Sequence, residues 1–477
     1  MISADQGRYP QLDRAVRSLP PTIREIGKLL SFLPSNGGYA MQFSGRVIVS
    51  AAIWAIAGGA AFAQQPPSAQ SAAQKLMAVP GSKYPGRMHV LPATMETTQW
   101  GWFDNAELPR LIIDSGDTVA IESMSHSHGQ LYPGRTIEEL KKLRTDWPAR
   151  GPMTLTGPIF VNGAEPGDTL QIKIQRIVPR PWGANFNVPG LFGQFPSKFP
   201  DGQVKYFYLD NERKTAEFAP GIEIPLRPFP GTLGVARKEP GRYNAVPPGP
   251  FAGNLDNRDM VEGTTLHVPV FVRGALIWQG DSHAAQGNGE INLTGLETAF
   301  QEITITVTVD KMAKLEWPRI ETPTEWITMG FDEDLTKALA NAKSETAKFL
   351  ADQRKIPQDQ AMALVSKTSD CRVTQVVDIK KGVHCITSKD AGKSLAEPRP
   401  TVETPQNLVT SATDADMNKA MDNASWAMIE LLQKERSLSR LDAYALASMT
   451  MDCRVGEMDA ADKSVHCLVA KNMWTKR

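Results

Sequence analysis

Cysteine is scarce in this chain: four among 477 residues, all in the last quarter, at Cys371, Cys385, Cys453 and Cys467. Net charge is absent too, with 52 Lys+Arg against 52 Asp+Glu, which argues against a nucleic-acid partner because such binders present a net basic face. There is only one long apolar run. Several catalytic signatures are missing: no G-x-S-x-G elbow, no H-E-x-x-H helix, no phosphate-binding glycine loop. No C-x2-C pair suggests a zinc knuckle. What is present is 41% hydrophobic content and turn-forming residues in quantity, Gly 37 and Pro 35. That is enough core material for two to four domains and excludes disorder for most of the chain.

The apolar run, Val47–Ala63, follows Arg46 and ends in the small-x-small pattern Ala61-Phe62-Ala63. It reads as a secretory signal peptide, with a start at Met41 and cleavage after Ala63. A membrane anchor is the alternative, but 17 residues including Gly58 and Gly59 make a short, weakly apolar span. Removing the six basic and three acidic residues of 1–63 leaves 46 against 49. The expectation is a nearly neutral protein, periplasmic or secreted, with no stable membrane anchor.

The cysteines belong to an internal repeat with a constant offset of 82 residues. Asp370-Cys371-Arg372-Val373 recurs as Asp452-Cys453-Arg454-Val455, and Val383-His384-Cys385 as Val465-His466-Cys467. Upstream, Glu321-Thr322-Pro323, Asp334, Lys337 and Ala338 recur as Glu403-Thr404-Pro405, Asp416, Lys419 and Ala420. A duplicated module is the simplest account, with copies at 319–397 and 400–477 and a linker at Lys389–Thr401. Each copy opens with an acidic helix start. An amphipathic helix follows, marked by Leu335, Leu339 and Ala342 or by Met417, Met421 and Ala424, and then two short strands. The matched flanks favour disulfides Cys371–Cys385 and Cys453–Cys467, which an oxidising compartment permits; buried free thiols are the alternative. His384 and His466 read as structural, the methionine stripe reads as core, and the module could serve a homo-oligomer through its amphipathic helices or cap the core.

From 85 to 318 the texture changes. Ile303, Ile305, Val307 and Val309 alternate with Thr304, Thr306 and Thr308, a half-buried strand. Leu170, Ile172 and Ile174 alternate after the turn Pro166-Gly167-Asp168, and Asp114–Asp117 marks a turn between Leu111–Ile113 and Thr118–Ile121. These signals predict a mainly β protein: a β-sandwich or barrel-like domain followed by an α+β C-terminal part made of the duplicated helix-plus-strands module. Ile137–Leu143 is the main helix candidate, and residues 219–250, with eight prolines, read as long surface loops.

Two polar clusters could carry chemistry. Ser125–Gln130 contains His126 and His128; Gly280–Glu290 contains Asp281, His283, Gln286 and Glu290. In extended backbone, residues two apart share a face, so His126 with His128, and Asp281 with His283, would each form a pair. With Glu290 these supply three N/O ligands for a divalent cation, the minimum for a catalytic zinc site with an open position. The competing reading is a turn held by local hydrogen bonds. Asn254, Asp256 and His128 are candidates for substrate contact, although Asn254-Leu255-Asp256 also suits an Asx-turn. Arg180–Phe186 could line a pocket or pack as a loop.

Gly157-Pro158-Ile159, Gly163–Asp168, Gly253–Asp256, Gly274-Ala275-Leu276 and the long irregular block Gly280–Glu290 together resemble the acetamidase/formamidase family over residues 85–388. The resemblance implies hydrolysis of short linear amides to ammonium and a carboxylate, on a mainly β fold. Combined with the residue chemistry, it gives an expected site in which Asp281, His283, Glu290 and His126 hold a metal, zinc or else calcium, that activates a water. Glu290 and His283 would take catalytic roles, and Gln286 would hold the oxyanion. A non-catalytic periplasmic binding protein for amide-like solutes is the rival reading. The chain departs from the family in three ways: Asn288 stands where Asp is frequent, a signal segment and cysteines are present, and the second C-terminal copy is additional.

Overall fold

The computed structural model describes residues 83–148, 150–395 and 401–475. The expected signal segment 1–63, with Pro398 and Pro400 of the expected linker, lies outside the described residues. Strands dominate, as the alternation predicts. One sheet has twelve strands and includes Thr118–Ile121, Thr169–Pro179, Thr265–Pro269 and Phe300–Asp310; a second has nine, built around Thr154–Asn162, Phe229–Val235 and Ile277–Ala285. Their inner faces share one core. Ile172, Ile174, Ile303 and Ile305 of the first sheet pack with Leu155, Ile159, Leu233 and Ile277 of the second. Face-to-face sheets with interdigitated side chains are the sandwich solution to burying two apolar faces.

Three local expectations change. The turn Asp114–Asp117 carries the chain from one sheet to the other: Leu111–Asp114 pairs with Thr154–Asn162, whereas Thr118–Ile121 pairs with Met88–Leu91. The proline-rich stretch 219–250 is not mainly surface loop, because Phe229–Val235 is a fully buried strand between Ala252–Asn254 and Ile277–Ala285. Trp182–Asn187 is likewise a strand, which settles Arg180–Phe186 as packed structure. The helix candidate is present as Ile137–Asp146, opened by a Thr136/Glu139 capping box.

The repeat is visible in three dimensions, with more structure per copy than periodicity suggested. Each copy is a strand, a 20-residue helix, an 11-residue helix and two strands. They are Glu325–Asp332, Leu335–Arg354, Gln358–Thr368, Ser369–Gln375 and Lys381–Ser388, then Asn407–Asp414, Met417–Arg436, Arg440–Thr450, Asp452–Val455 and Lys463–Ala470. Asp334 and Asp416 cap the long helices through their side chains. Cys371 sits directly opposite Cys385, and Cys453 opposite Cys467, each pair forming a disulfide. The copies extend the large sheet and meet antiparallel at Arg372 and Arg454. There Arg372 pairs with Asp370 at 2.7 Å and Arg454 with Asp452 at 2.7 Å. The apolar helix stripes, including Leu335, Leu339, Met417 and Met421, pack within the chain as core, as their helical spacing predicts.

Candidate active site

A cavity of about 250 Å³ is lined by Ile277–Ala285 and Leu296–Thr298 of the smaller sheet together with residues 150–153 and 377–379. Its floor is a buried cluster of seven titratable groups: His126, Asp256, Asp281, His283, Glu290, Glu297 and Asp378. His126 Nε2 lies 2.5 Å from Asp281 Oδ1 and 3.2 Å from Glu297 Oε2. His283 Nε2 lies 3.0 Å from the same Glu297 oxygen and 3.5 Å from Asp281 Oδ2. Asp281 and His283 come from Ile277–Ala285, and Glu297 stands opposite His283 on Leu296–Thr298.

Local backbone geometry aims these groups. Asp256, Asp281 and Glu290 all have positive φ, at 48°, 49° and 48°. That left-handed conformation is uncommon for non-glycine residues and clusters where structure serves function. Close approach is required as well. A Cβ on Gly231 would stand 2.8 Å from both Asp256 Oδ1 and Asp281 Oδ2, so only glycine lets this strand pass under the carboxylates.

His128 does not join His126. The Ser125–Gln130 segment is a tight turn in which Ser127 and His128 have φ of 55° and 58°. The alternation of extended backbone therefore does not apply. His126 enters the cluster, whereas His128 bonds Thr98 Oγ1 at 2.9 Å beside Trp100, away from the cavity lining. Gln286 is also off the lining. Its Oε1 accepts from His283 Nδ1 at 2.6 Å and its Nε2 donates to the Asp256 carbonyl at 3.0 Å. Because Gln286 does not line the cavity, it is not placed to hold an oxyanion; when His283 is neutral, its oxygen fixes the tautomer and directs Nε2 at the cluster. Asn254 and Asp256 do line the cavity, and Asn254 Oδ1 accepts from Thr232 Oγ1 at 2.6 Å.

Glu297, Asp378 and Arg144 line the cavity without having been singled out in the sequence. Glu297 is brought in by strand register alone. Asp378 sits at the tip of the hairpin between the first copy's cysteine strands; its counterpart at the repeat offset is Ala460. The loop between the two site strands is clamped by both copies. Gly289 N donates to Thr374 O at 3.0 Å and Gly287 N to Ser448 O at 2.8 Å, while Tyr444 Oη donates to Ile291 O at 2.6 Å. Asn288 Nδ2 donates to Asp452 Oδ1 of the second copy at 2.6 Å. An aspartate at 288 would set two carboxylates together there, which accounts for the amide at this position.

Five buried carboxylates against two imidazoles cannot all be charged without compensation. Burial opposes the imidazolium, but Glu297 and Asp281 lift His126 to about 9. The same two carboxylates raise His283 against the same penalty. Asp281 stays ionised despite burial because His283 and His126 face it, and Glu297 is likewise held low by both imidazoles. Burial, then Glu290 and Asp378, push Asp256 well up; burial, then Asp378 and Glu297, do the same for Glu290. Asp378 is pushed to about 7 by burial and by the charge of Asp281.

The donors also fit a cation. Four sets place one ligand atom per residue within 4.8 Å of the others: His126/Asp281/Glu297, Asp256/Asp281/His283, His283/Glu290/Glu297 and Asp256/Glu290/Asp378. Glu290 Oε2 and both carboxylate oxygens of Asp256 are buried without a hydrogen-bond partner. Such orphaned atoms call for a ligand or ion. The three sets containing imidazole suit zinc, and the all-oxygen set suits a harder cation such as calcium.

Known proteins resemble this chain in sequence and scaffold. An acetamidase from Bacillus halodurans superposes with a TM-score of 0.57 at 30% identity, covering 63% of this chain and 97% of that one. An acetamidase from Yersinia enterocolitica gives 0.58 at 28%, covering 65% and 94%. A putative formamidase from Schizosaccharomyces pombe is 26% identical over 254 residues, 40% of this chain. This chain spans 59% of the length of that curated relative and 49% of an acetamidase from Mycolicibacterium smegmatis. The profile of the Acetamidase/Formamidase family matches residues 102–242 and 238–388, which include every residue of the buried cluster. The chain belongs to the acetamidase/formamidase family.

Proposed function

We propose that this protein is an exported amidohydrolase that cleaves short-chain amides to ammonium and a carboxylate. The observation that carries the reading is the convergence of His126, His283 and five carboxylates on one small buried cavity, in a family whose relatives include named acetamidases and formamidases. His126, Asp281, His283 and Glu297 would hold a divalent cation, zinc by its imidazole ligands, with Asp256 and Glu290 beside it. Such an ion polarises an amide carbonyl and lowers the pKa of a water towards about 7.

The protein's own groups supply the rest. Asn254, with its oxygen held by Thr232, offers its amide N–H to the substrate carbonyl. In the reaction, water adds to the carbonyl carbon, the C–N bond breaks, and the nitrogen must leave protonated. Asp378, titrating at about 7, is matched to accept a proton from water and return it to nitrogen. Glu290, pushed up by burial, shares that duty as a proton donor. Both disulfides support placement in an oxidising compartment, periplasmic or extracellular.

The test is ammonia release from formamide, acetamide and propionamide by residues 64–477, before and after chelation. Release that chelator abolishes and zinc restores is the expected result. No release from folded, metal-replete protein would overturn the reading in favour of a solute-binding protein.

A further inference from the structure

Two cavity-lining cations have no part in the chemistry above. Arg144, near the end of Ile137–Asp146, and Arg150, in the segment beyond it, both border the cavity. Among the described residues neither makes an ion pair within 4.0 Å, unlike their neighbours Arg135 and Lys142, which pair with Glu139 and Asp146. The Arg150 guanidinium is held 5.0 Å from each of three indole rings, Trp100, Trp102 and Trp147. Arg144 lies 5.9 Å from the Phe192 ring. Burial brings Arg144 down to about 10, so it remains a cation at neutral pH. Both arginines are half-buried whereas the carboxylates of the floor are buried, which puts the guanidinium groups on the mouth side.

Asp281, Asp378 and Glu297 act on Arg144 from the floor, but no carboxylate of the described residues contacts either guanidinium, and a partly desolvated cation without a direct partner is costly to maintain. An indole cage orients a guanidinium but does not neutralise it. The planar donor fork of arginine is matched to a carboxylate, and formamide or acetamide has no anionic group to offer it. We infer that the preferred substrates are short amides that carry a carboxylate at the far end, ω-amic acids, with the amide on the acidic floor and the carboxylate between Arg144 and Arg150 at the mouth. Hydrolysis adds water across the amide C–N bond and yields a dicarboxylate and ammonium. This inference rests on the amide-hydrolysis reading.

The experiment compares kcat/KM for succinamate with butyramide, and for glutaramate with valeramide, using metal-replete residues 64–477. The amic acids are expected to be favoured at least about tenfold, mainly through KM, because a hydrogen-bonded charge pair is worth roughly that factor or more. Arg150→Gln and Arg144→Gln should each lower the amic-acid value by about tenfold and bring the ratio towards one. Neutral amides turned over as well as amic acids, or variants that lose both substrates in equal proportion, would overturn the inference while leaving amide hydrolysis standing. Ammonia release from neither class would overturn both.

Discussion

Gln286→Met separates positioning from direct participation. Methionine fills the same space but removes both polar ends of the side chain. The variant loses the acceptor 2.6 Å from His283 Nδ1 and the donor 3.0 Å from the Asp256 carbonyl. Both partners are buried, so two groups are left unsatisfied at about 1–3 kcal/mol each. Partial relaxation should hold the total loss of stability to about 2–4 kcal/mol. The effect on the site follows from the tautomer. Metal binding requires a neutral His283; without the Gln286 oxygen its remaining proton favours Nε2, which faces Glu297 Oε2 at 3.0 Å, over Nδ1, and the lone pair that would meet the metal is lost. Removing a partner of this kind typically costs 10–100-fold in metal affinity. Zinc titration of stripped protein against a competing chelator measures that loss, and ammonia release at excess zinc should recover most of the activity. Unchanged zinc affinity with a large fall in kcat would refute the reasoning, because Gln286 would then be acting on the substrate itself.

Three further outcomes follow from separate parts of the molecule. Gly231→Ala would force a methyl group to within 2.8 Å of Asp256 and Asp281; the protein should fold with normal far-UV dichroism but lose metal binding, and normal zinc affinity would contradict the packing argument. Tyr444→Phe removes the hydroxyl that bonds Ile291 O and Phe195 N; urea unfolding should show a loss of about 1–3 kcal/mol, with kcat reduced because this second-copy residue steadies the loop bearing Glu290. His384 is buried and depressed to about 4 by that burial, so between pH 6.5 and 4 the unfolded chain binds the extra proton and stability falls as pH falls. Wild type should therefore lose about 2 kcal/mol more than His384→Gln between pH 7.5 and 5, and parallel denaturation curves would contradict a neutral buried imidazole.

Much of the fold was legible because its signals are local. The Ile303–Val309 alternation marks a strand, although Thr304 and Thr306 are buried as well as the apolar face, and the offset of 82 residues requires two similar modules. The Phe229–Val235 strand was hidden because the prolines around it read as loop, while its neighbours in the sheet lie far away in sequence. The site divides in the same way. Asp281, His283 and Glu290 stand in one dense polar block, and their glycine neighbours mark unusual backbone. Glu297 enters only through its register with His283, and Asp378 only because a hairpin from another module reaches the cavity. Spacing misdirected His128 for a definite reason: a period of two holds for extended backbone, and two successive positive φ angles turn its side chain elsewhere. The gap between Asp378 and Ala460 was readable from the repeat alone, as a carboxylate kept in one copy and missing from the other.

The central claim is that the buried cluster binds a divalent metal that amide hydrolysis needs. The most direct measurement is metal content by mass spectrometry, taken with ammonia release, on the wild type and on His283→Ala purified in parallel. The account predicts stoichiometric divalent metal in the wild type, and joint loss of metal and turnover in a folded variant. Metal-free wild type at full activity, or His283→Ala with normal metal and near-normal kcat/KM, would contradict it.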